Sequence, residues 1–303
     1  MRQFLFDKPG SFYKGNLHSH STQSDGLLSP VDVALAYRER DYDFVTITDH
    51  FIGRYGFPIT DTTQLRTRDF TTLIGVEMHA PRLQNGILWD LLAIGLPLDF
   101  PQVTADDDGA SLSQRAQEAG AFVAIPHPMW NGVVHSDALG IIDYVDAIEI
   151  YNHGHTLDSD RGNGWFLADS LSTSGFRLSA FAADDAHFKH DRFDRFGGWV
   201  HVKSESLEPE PLLGALKAGD YYASTGAEIH TVVVTSHDIV VECSPAIGIM
   251  LGGAGTVRDY RRGDDLTRAT FRRTLFESGF FRVIIEQKDG RKAWTSPIWL
   301  SDY

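Results

Sequence analysis

One order of events recurs three times along this chain: a helix, a glycine or polar turn, a short apolar strand, then side chains of the kind that bind metals. In the first instance Ser29 suits an N-cap, Pro30 the first helical position and Asp32 the positive end of the helix dipole. The helix runs to about Arg40, and the apolar stretch from Asp43 to Thr48 ends at Asp49-His50. The second instance is a helix from Ser111 to Ala119, a stop at Gly120, a strand from Ala121 to Ile125, then Pro126-His127-Pro128. The third is a helix from Gly164 to about Thr173, a stop at Gly175, a strand from Arg177 to Ala183, then Asp184-Asp185-Ala186-His187. Alternating helices and strands imply an α/β fold with a parallel sheet or barrel. Its expected core includes Val45, Ile47, Val123, Ile125 and Phe181.

The pattern changes after about Thr225. A helix around Pro209 to Ala218 is followed by strand-like runs at Ile229–Val234, Ile239–Cys243, Ala269–Leu275, Phe280–Glu286 and Ala293–Leu300. Asp289-Gly290 reads as a two-residue hairpin turn. The expected division is residues 1–226 for the α/β unit and 227–303 for a small antiparallel β domain.

The formal net charge of −14 argues against a nucleic-acid backbone or an anionic membrane as partner. A small anionic substrate remains compatible, because bound divalent cations reverse the local field. The single cysteine, Cys243, excludes an intrachain disulfide and a multi-thiolate zinc site. No apolar run has the length of a membrane span, and the first 16 residues lack the apolar core of a signal peptide, so the expected location is the cytoplasm.

The placement of the 13 histidines is not random, and several fall where strands end. His18-Ser19-His20 is an H-x-H pair, and in extended chain alternate residues face one side, so both imidazoles reach one ion. Asp25 follows in a Ser24-Asp25-Gly26 turn. The run Thr72–Val76 ends at Glu77, with His79 two residues beyond, and Asp90 precedes the strand Leu91–Gly95. His127 follows one strand, and Tyr151-Asn152-His153 another. Nitrogen and oxygen donors gathered where β/α loops converge suit two or three Zn, Mn or Fe(II) ions. Asn152 and His153 are further candidates for the pocket, whereas His155 reads as a solvated side chain. Arg54, Arg82, Arg161 and Arg192 sit in loops on the same expected face, where a guanidinium grips an anionic group bidentately. Trp130 and Trp165 are candidates either for a pocket wall or for core packing.

The segments Gly15–Ser21, Ser24-Asp25-Gly26, Thr46–His50, Gly75-Val76-Glu77, Pro126-His127-Pro128 and Asp185-Ala186-His187 resemble, in order, the motifs of the PHP superfamily of metal-dependent phosphoesterases, named for polymerase and histidinol phosphatase. Lys217–Gly226 and Gly290–Leu300 are similar to segments of its carbaryl-hydrolase-like branch. The resemblance implies a distorted (β/α)7 barrel with up to three metals. His18, His20, Glu77 and Asp185 would hold the first; Glu77 and His127 the second; Asp25, His50 and His187 the third. The family often has a histidine where this chain has Asp90, which leaves Asp90 or His79 to complete the second site. The expected function is a phosphoesterase that hydrolyses a small phosphorylated molecule with a metal-bridging hydroxide. His187, Asp25 or a water on the third metal would assist the leaving group. Hydrolysis of a carboxylic or carbamic ester by the same centre is the alternative, and a metal-stabilised binding module without activity is a third reading.

Overall fold

The computed structural model describes residues 3–190, 193–277 and 279–303. Its helices are α1 (Pro30–Arg38), α2 (Gly109–Glu118), α3 (Pro128–Asn131), α4 (His135–Leu139), α5 (His153–Ser159), α6 (Trp165–Thr173) and α7 (Pro209–Ala218). Ser29 caps α1 by accepting from the Asp32 N–H, and Asp108 caps α2 in a reciprocal box with Ser111. Glycine closes α7 at Gly219, with φ 73°, where an L side chain would be strained.

The strands that position the site are β1 (Gln3–Leu5), β2 (Ser11–Asn16), β3 (Phe44–Ile47), β4 (His50–Phe51), β5 (Thr71–Ala80), β6 (Trp89–Ile94), β7 (Phe122–Ile125), β8 (Ala147–Asn152) and β9 (Ser179–Ala183). β2, β3 and β5 are parallel, and β4 pairs in parallel with the far half of β5, which sets His50 beside Glu77. β7, β8 and β9 are parallel as well. β6 breaks the pattern, being antiparallel to both β5 and β7. The physical reason is the connection: β5 and β6 are joined by residues 81–88 without a helix, too short for a parallel crossover.

β10 (Trp199–Ser204) returns antiparallel to β2, and β11 (Tyr221–Ser224) pairs with β10. β9 lies against β10 and β11 without a ladder to either, so the sheet is not closed into the expected barrel. The inner strands are buried on both faces, as near-continuous apolar runs require. Val123 and Ile125 point into one cluster with Leu91, Ala93 and Ile148. Their strand neighbours Phe122 and Ala124 point into another with Leu92 and Phe181. Val45 and Ile47 pack with Val33 and Tyr37 of α1.

The remaining strands are β12 (Ile229–Val234), β13 (Asp238–Gly253), β14 (Arg258–Arg272), β15 (Phe280–Glu286), β16 (Lys292–Thr295) and β17 (Ile298–Trp299). They are antiparallel and share a core of Ile239, Val241, Ile249, Phe281, Val283 and Ile285, among others. The sheet does not break at residue 226. β11 pairs with β16, and β1, from the other end of the sequence, pairs with β12. The β15–β16 connection closes through a Gln287 N–H to Arg291 carbonyl bond with Gly290 at φ 85°, one residue longer than the expected Asp289-Gly290 turn. Among the described residues no helix is long and apolar enough to cross a membrane.

Candidate metal centre

The strand ends on one side of the sheet bring their polar side chains together. His18 and His20 follow β2, and both rings are fully buried, as the alternation of extended chain requires. The Asp185 Oδ1 lies 3.3 Å from His18 Nε2 and 3.1 Å from His20 Nε2. Glu77 reaches the same rings from β5: its Oε2 is 3.6 Å from His18 Nε2, 3.5 Å from His20 Nε2 and 2.8 Å from His50 Nδ1. Its other oxygen, Oε1, is 3.0 Å from His127 Nε2. Asp25 Oδ1 sits 3.3 Å from His50 Nε2 and 3.2 Å from His187 Nε2.

Five interlocking groups of potential ligands result, in each of which the donor atoms lie within 4.8 Å of one another. They are His20, Asp25, His50 and His187; His18, His20 and Asp185; His18, Glu77 and His127; His50, Glu77 and His79; and His127, His155 and Asp185. Whether this donor set fits cations is answered by its unsatisfied atoms. His18 Nε2, His20 Nδ1, Asp25 Oδ1, Glu77 Oε2, His127 Nδ1 and His155 Nδ1 are all buried without a hydrogen-bond partner. Each such atom costs about 1–3 kcal/mol. Of these, His18 Nε2, Asp25 Oδ1 and Glu77 Oε2 face the neighbouring imidazoles and carboxylates, and such unpaired donors are what divalent ions would satisfy, so the residues present fit divalent-metal binding.

The surrounding side chains fix which nitrogen carries the proton. His18 Nδ1 faces Glu149 Oε1 at 3.2 Å, so Nδ1 holds the hydrogen and Nε2 turns its lone pair to the cluster. His187 Nδ1 donates to the Asp185 backbone carbonyl at 2.9 Å, which frees Nε2 toward Asp25. Asp49 accepts from the Ser21 N–H and from the Ser21, Ser24 and Thr60 hydroxyls, pinning the loop that carries Asp25. Asp184, next to Asp185 in sequence, turns away and accepts from Tyr37 Oη and the N–H groups of Phe196, Gly197 and Gly198. His127 and Asp185 themselves stand at φ 27° and 56°, conformations that non-glycine residues adopt at a cost.

The electrostatics follow from mutual burial. Burial works against the charged form of Glu77, yet His50, His127 and His18 hold its carboxyl well below the usual range. Asp185 is likewise opposed by burial and held well below its ordinary value by His18, His155 and His20. Burial pulls His50 down, but Glu77 and Asp25 outweigh it and push the ring up to about 10. His127 rises to about 9 against burial through Glu77. His20 is the exception: burial first, then His187 and His50, bring it down to about 4.

The other sequence candidates are placed differently. Asp90, an expected oxygen ligand, joins none of these groups among the described residues. Paired opposite His79 in the β5–β6 register, it accepts from His79 Nδ1 at 2.6 Å and from Asn131 Nδ2 at 2.6 Å. It thereby turns His79 Nε2 inward, 2.9 Å from His50 Nδ1. His155, read as solvated, instead has its Nε2 3.2 Å from Asp185 Oδ2, because α5 begins right at the end of β8 and its first turn faces the cluster. His153 turns to Tyr151 Oη and the Phe193 carbonyl, away from the cluster. Asn152 donates to both Glu149 and Asp185. Trp130 stacks on His155, whereas Trp165 packs against the core with Arg282 over its ring. Arg54 lies over Tyr55, which stacks on His50, and Arg161 lies 6.0 Å from the Trp130 ring. Arg82 is exposed on the β5–β6 turn, and Arg192 lies outside the described residues. Lys189, not singled out in the sequence, sits 3.6 Å from Asp25 Oδ2. Glu149 was also missed, although a carboxylate inside the apolar run Ala147-Ile148-Glu149-Ile150 was a signal in plain view.

The fold is shared with a solved structure, and comparison shows a likeness of architecture. A two-domain protein from Bacteroides vulgatus containing a predicted PHP-like metal-dependent phosphoesterase superposes with a TM-score of 0.54 over 95% of each chain, at 17% identity. A protein from Bifidobacterium adolescentis described as a putative metal-dependent phosphoesterase gives 0.42 over 58% of this chain and 88% of its own, at 15% identity. An amidohydrolase from Chromobacterium violaceum gives 0.41 over 57% and 87%, at 16% identity. The first of these carries the likeness of fold, and at such identity the likeness concerns fold alone. No protein-family model matches the sequence, and no curated protein does.

Proposed function

We propose that this chain is a metal-dependent hydrolase, and that it cleaves phosphoesters of small anionic molecules. The observation that carries the reading is the convergence of Glu77 and Asp185, each touching several imidazoles, on one cluster in which His18 Nε2, Asp25 Oδ1 and Glu77 Oε2 lack hydrogen-bond partners. His18, His20, Glu77 and Asp185 would hold one ion, and His20, Asp25, His50 and His187 a second. Glu77, His127 and the inward-turned His79 surround a further position. When bound, divalent ions supply Lewis acidity and acidify water.

The chain's own residues do the rest. Glu149 and Asp90 hold the His18 and His79 rings in the tautomers that present Nε2. Asp49 and Asp184 hold the two loops at the pocket edge, so that Asp25 and His187 meet without reorganisation. Lys189 supplies positive charge beside Asp25, 3.6 Å from its Oδ2, where it would favour a phosphoryl group. Proton transfer by His187 competes with ligation, because its Nδ1 already donates to the Asp185 carbonyl and leaves Nε2 for one duty or the other.

A second reading, hydrolysis of a carboxylic or carbamic aryl ester, is favoured by one observation. Beyond His127, Pro128, Met129, Val133, Val134 and Phe166 line an apolar cavity of about 640 Å³. The test is a substrate panel on protein reconstituted with Mn, Zn or Fe(II): nitrophenyl phosphate, its diester, nitrophenyl acetate and an aryl carbamate. Phosphoester turnover that dies with chelation supports the first reading. Turnover of the acyl esters alone moves the assignment to the second, and no metal-dependent turnover of any kind overturns both.

A further inference from the structure

Resting on the metal-centre reading above, we propose that His155 is itself a ligand of the centre, and that Asp185 bridges two ion positions through its two oxygens. Asp185 Oδ1 faces His18 and His20, at 3.3 and 3.1 Å. Its Oδ2 faces the opposite way, 3.2 Å from His155 Nε2. Donor atoms of His127, His155 and Asp185 lie within 4.8 Å of one another, close to the span of ligands around one ion held at about 2.0–2.2 Å. His127 also belongs to the group formed with His18 and Glu77, so an ion beside it would be held between two carboxylates, Glu77 and Asp185.

The ring of His155 is held in place by its neighbours. Asn152 caps α5 by accepting from the His155 N–H at 2.8 Å, and the same amide donates to Asp185 Oδ2 at 3.1 Å. One side chain therefore sets the spacing of the two donors. Trp130, three residues past His127, stacks on the His155 ring at 4.2 Å with the planes 14° apart. The His127 ring meets it edge-on at 5.1 Å. With its plane clamped on one face and its backbone capped, the ring has lost its freedom before any ligand arrives. A solvated histidine shows none of this. The assignment also accounts for Asp90: the oxygen that would have supplied the second site is spent on orienting His79, and α5 brings an imidazole from the other side.

The experiment uses the full chain, stripped with a chelator and reconstituted with Co(II) and, separately, Mn(II). Ions per chain are counted by mass spectrometry, and Co(II) binding is followed by its visible absorption. His155→Ala is expected to bind one ion fewer, or to bind one ion at least tenfold more weakly, while the ions at the Asp25 side keep wild-type affinity. His155→Cys, which restores a donor, is expected to recover the lost ion with an added sulfur-to-cobalt charge-transfer band, and it carries the test if the alanine variant does not fold. His153→Ala, whose ring points elsewhere, is expected to match wild type. Unchanged stoichiometry, affinity and cobalt spectrum in His155→Ala overturn the proposal and leave the metal centre standing. A wild-type chain that takes up no ion overturns the metal centre and, with it, this assignment.

Discussion

Replacing Asp185 by asparagine removes one negative charge and little else. Asparagine has the same shape and tolerates the left-handed backbone that Asp185 adopts at φ 56°, so the loop keeps its path. What is lost can be read from the contacts: Oδ1 serves His18 and His20, and Oδ2 serves His155 and Asn152. Hydrogen bonds and ligand contacts to a charged group are worth about 1.5–3 kcal/mol each. Loss of one such contact on each oxygen amounts to about 3–6 kcal/mol, or a fall in metal affinity of roughly 10²–10⁴. Turnover should fall by at least as much, since the fixed ions and their water go together. The assay is metal titration by calorimetry, turnover on any substrate the wild type cleaves, and circular dichroism to confirm folding. Asp61→Asn serves as control, because Asp61 is an exposed loop residue that bonds only to its neighbours Thr63 and Gln64. Full metal content and near-normal turnover in Asp185→Asn would refute the reasoning, since no ligand carboxylate can be neutralised without cost.

Metal uptake should release protons: His50 and His127, held at about 10 and about 9, must deprotonate to bind, so affinity rises from pH 6 to 9 and calorimetry in buffers of different ionisation heat reports the release. Gly15→Ala would drive a methyl group to 2.1 Å from Phe44 Cζ in the β2–β3 pair, a clash worth about 1–3 kcal/mol, read as a Tm lower by several degrees. His201 is held down to about 4, by burial first and Lys14 second, and its Nε2 accepts from the Trp199 indole N–H. The unfolded chain binds this proton below about 6.5 and the folded chain does not, so up to about 3 kcal/mol of stability present above pH 6.5 is lost as pH falls toward 4. His201→Gln, denatured with urea at pH 7.5 and at pH 4.5, should lose stability by that much less than wild type between the two.

The parts of the site written in one short stretch of sequence could be read there. His18-x-His20 works because extended backbone alternates, and Asp185-x-His187 because both residues follow one strand. Three features were hidden because they depend on pairing between distant segments. The β5–β6 hairpin sets Asp90 opposite His79, so that Asp90 accepts from the His79 ring. His155 reaches the pocket only because α5 starts at the last residue of β8, and a helix start after Asn152 looks like any loop until the strand is placed. β14 begins at Arg258, far before the expected Ala269, because its first residues alternate nothing: an exposed edge rich in arginine reads as loop. The same holds for β1, three residues long, whose place beside β12 no local pattern reveals.

The central claim is that these carboxylates and imidazoles bind divalent ions in one buried cluster. Anomalous diffraction from crystals of Mn-reconstituted protein, collected on both sides of the manganese edge, tests it directly. The account predicts at least two peaks, one within bonding distance of His18, His20, Glu77 and Asp185 and one within bonding distance of Asp25, His50 and His187. Reconstituted crystals without a peak at either position, and with these side chains hydrogen-bonded to one another instead, would contradict it.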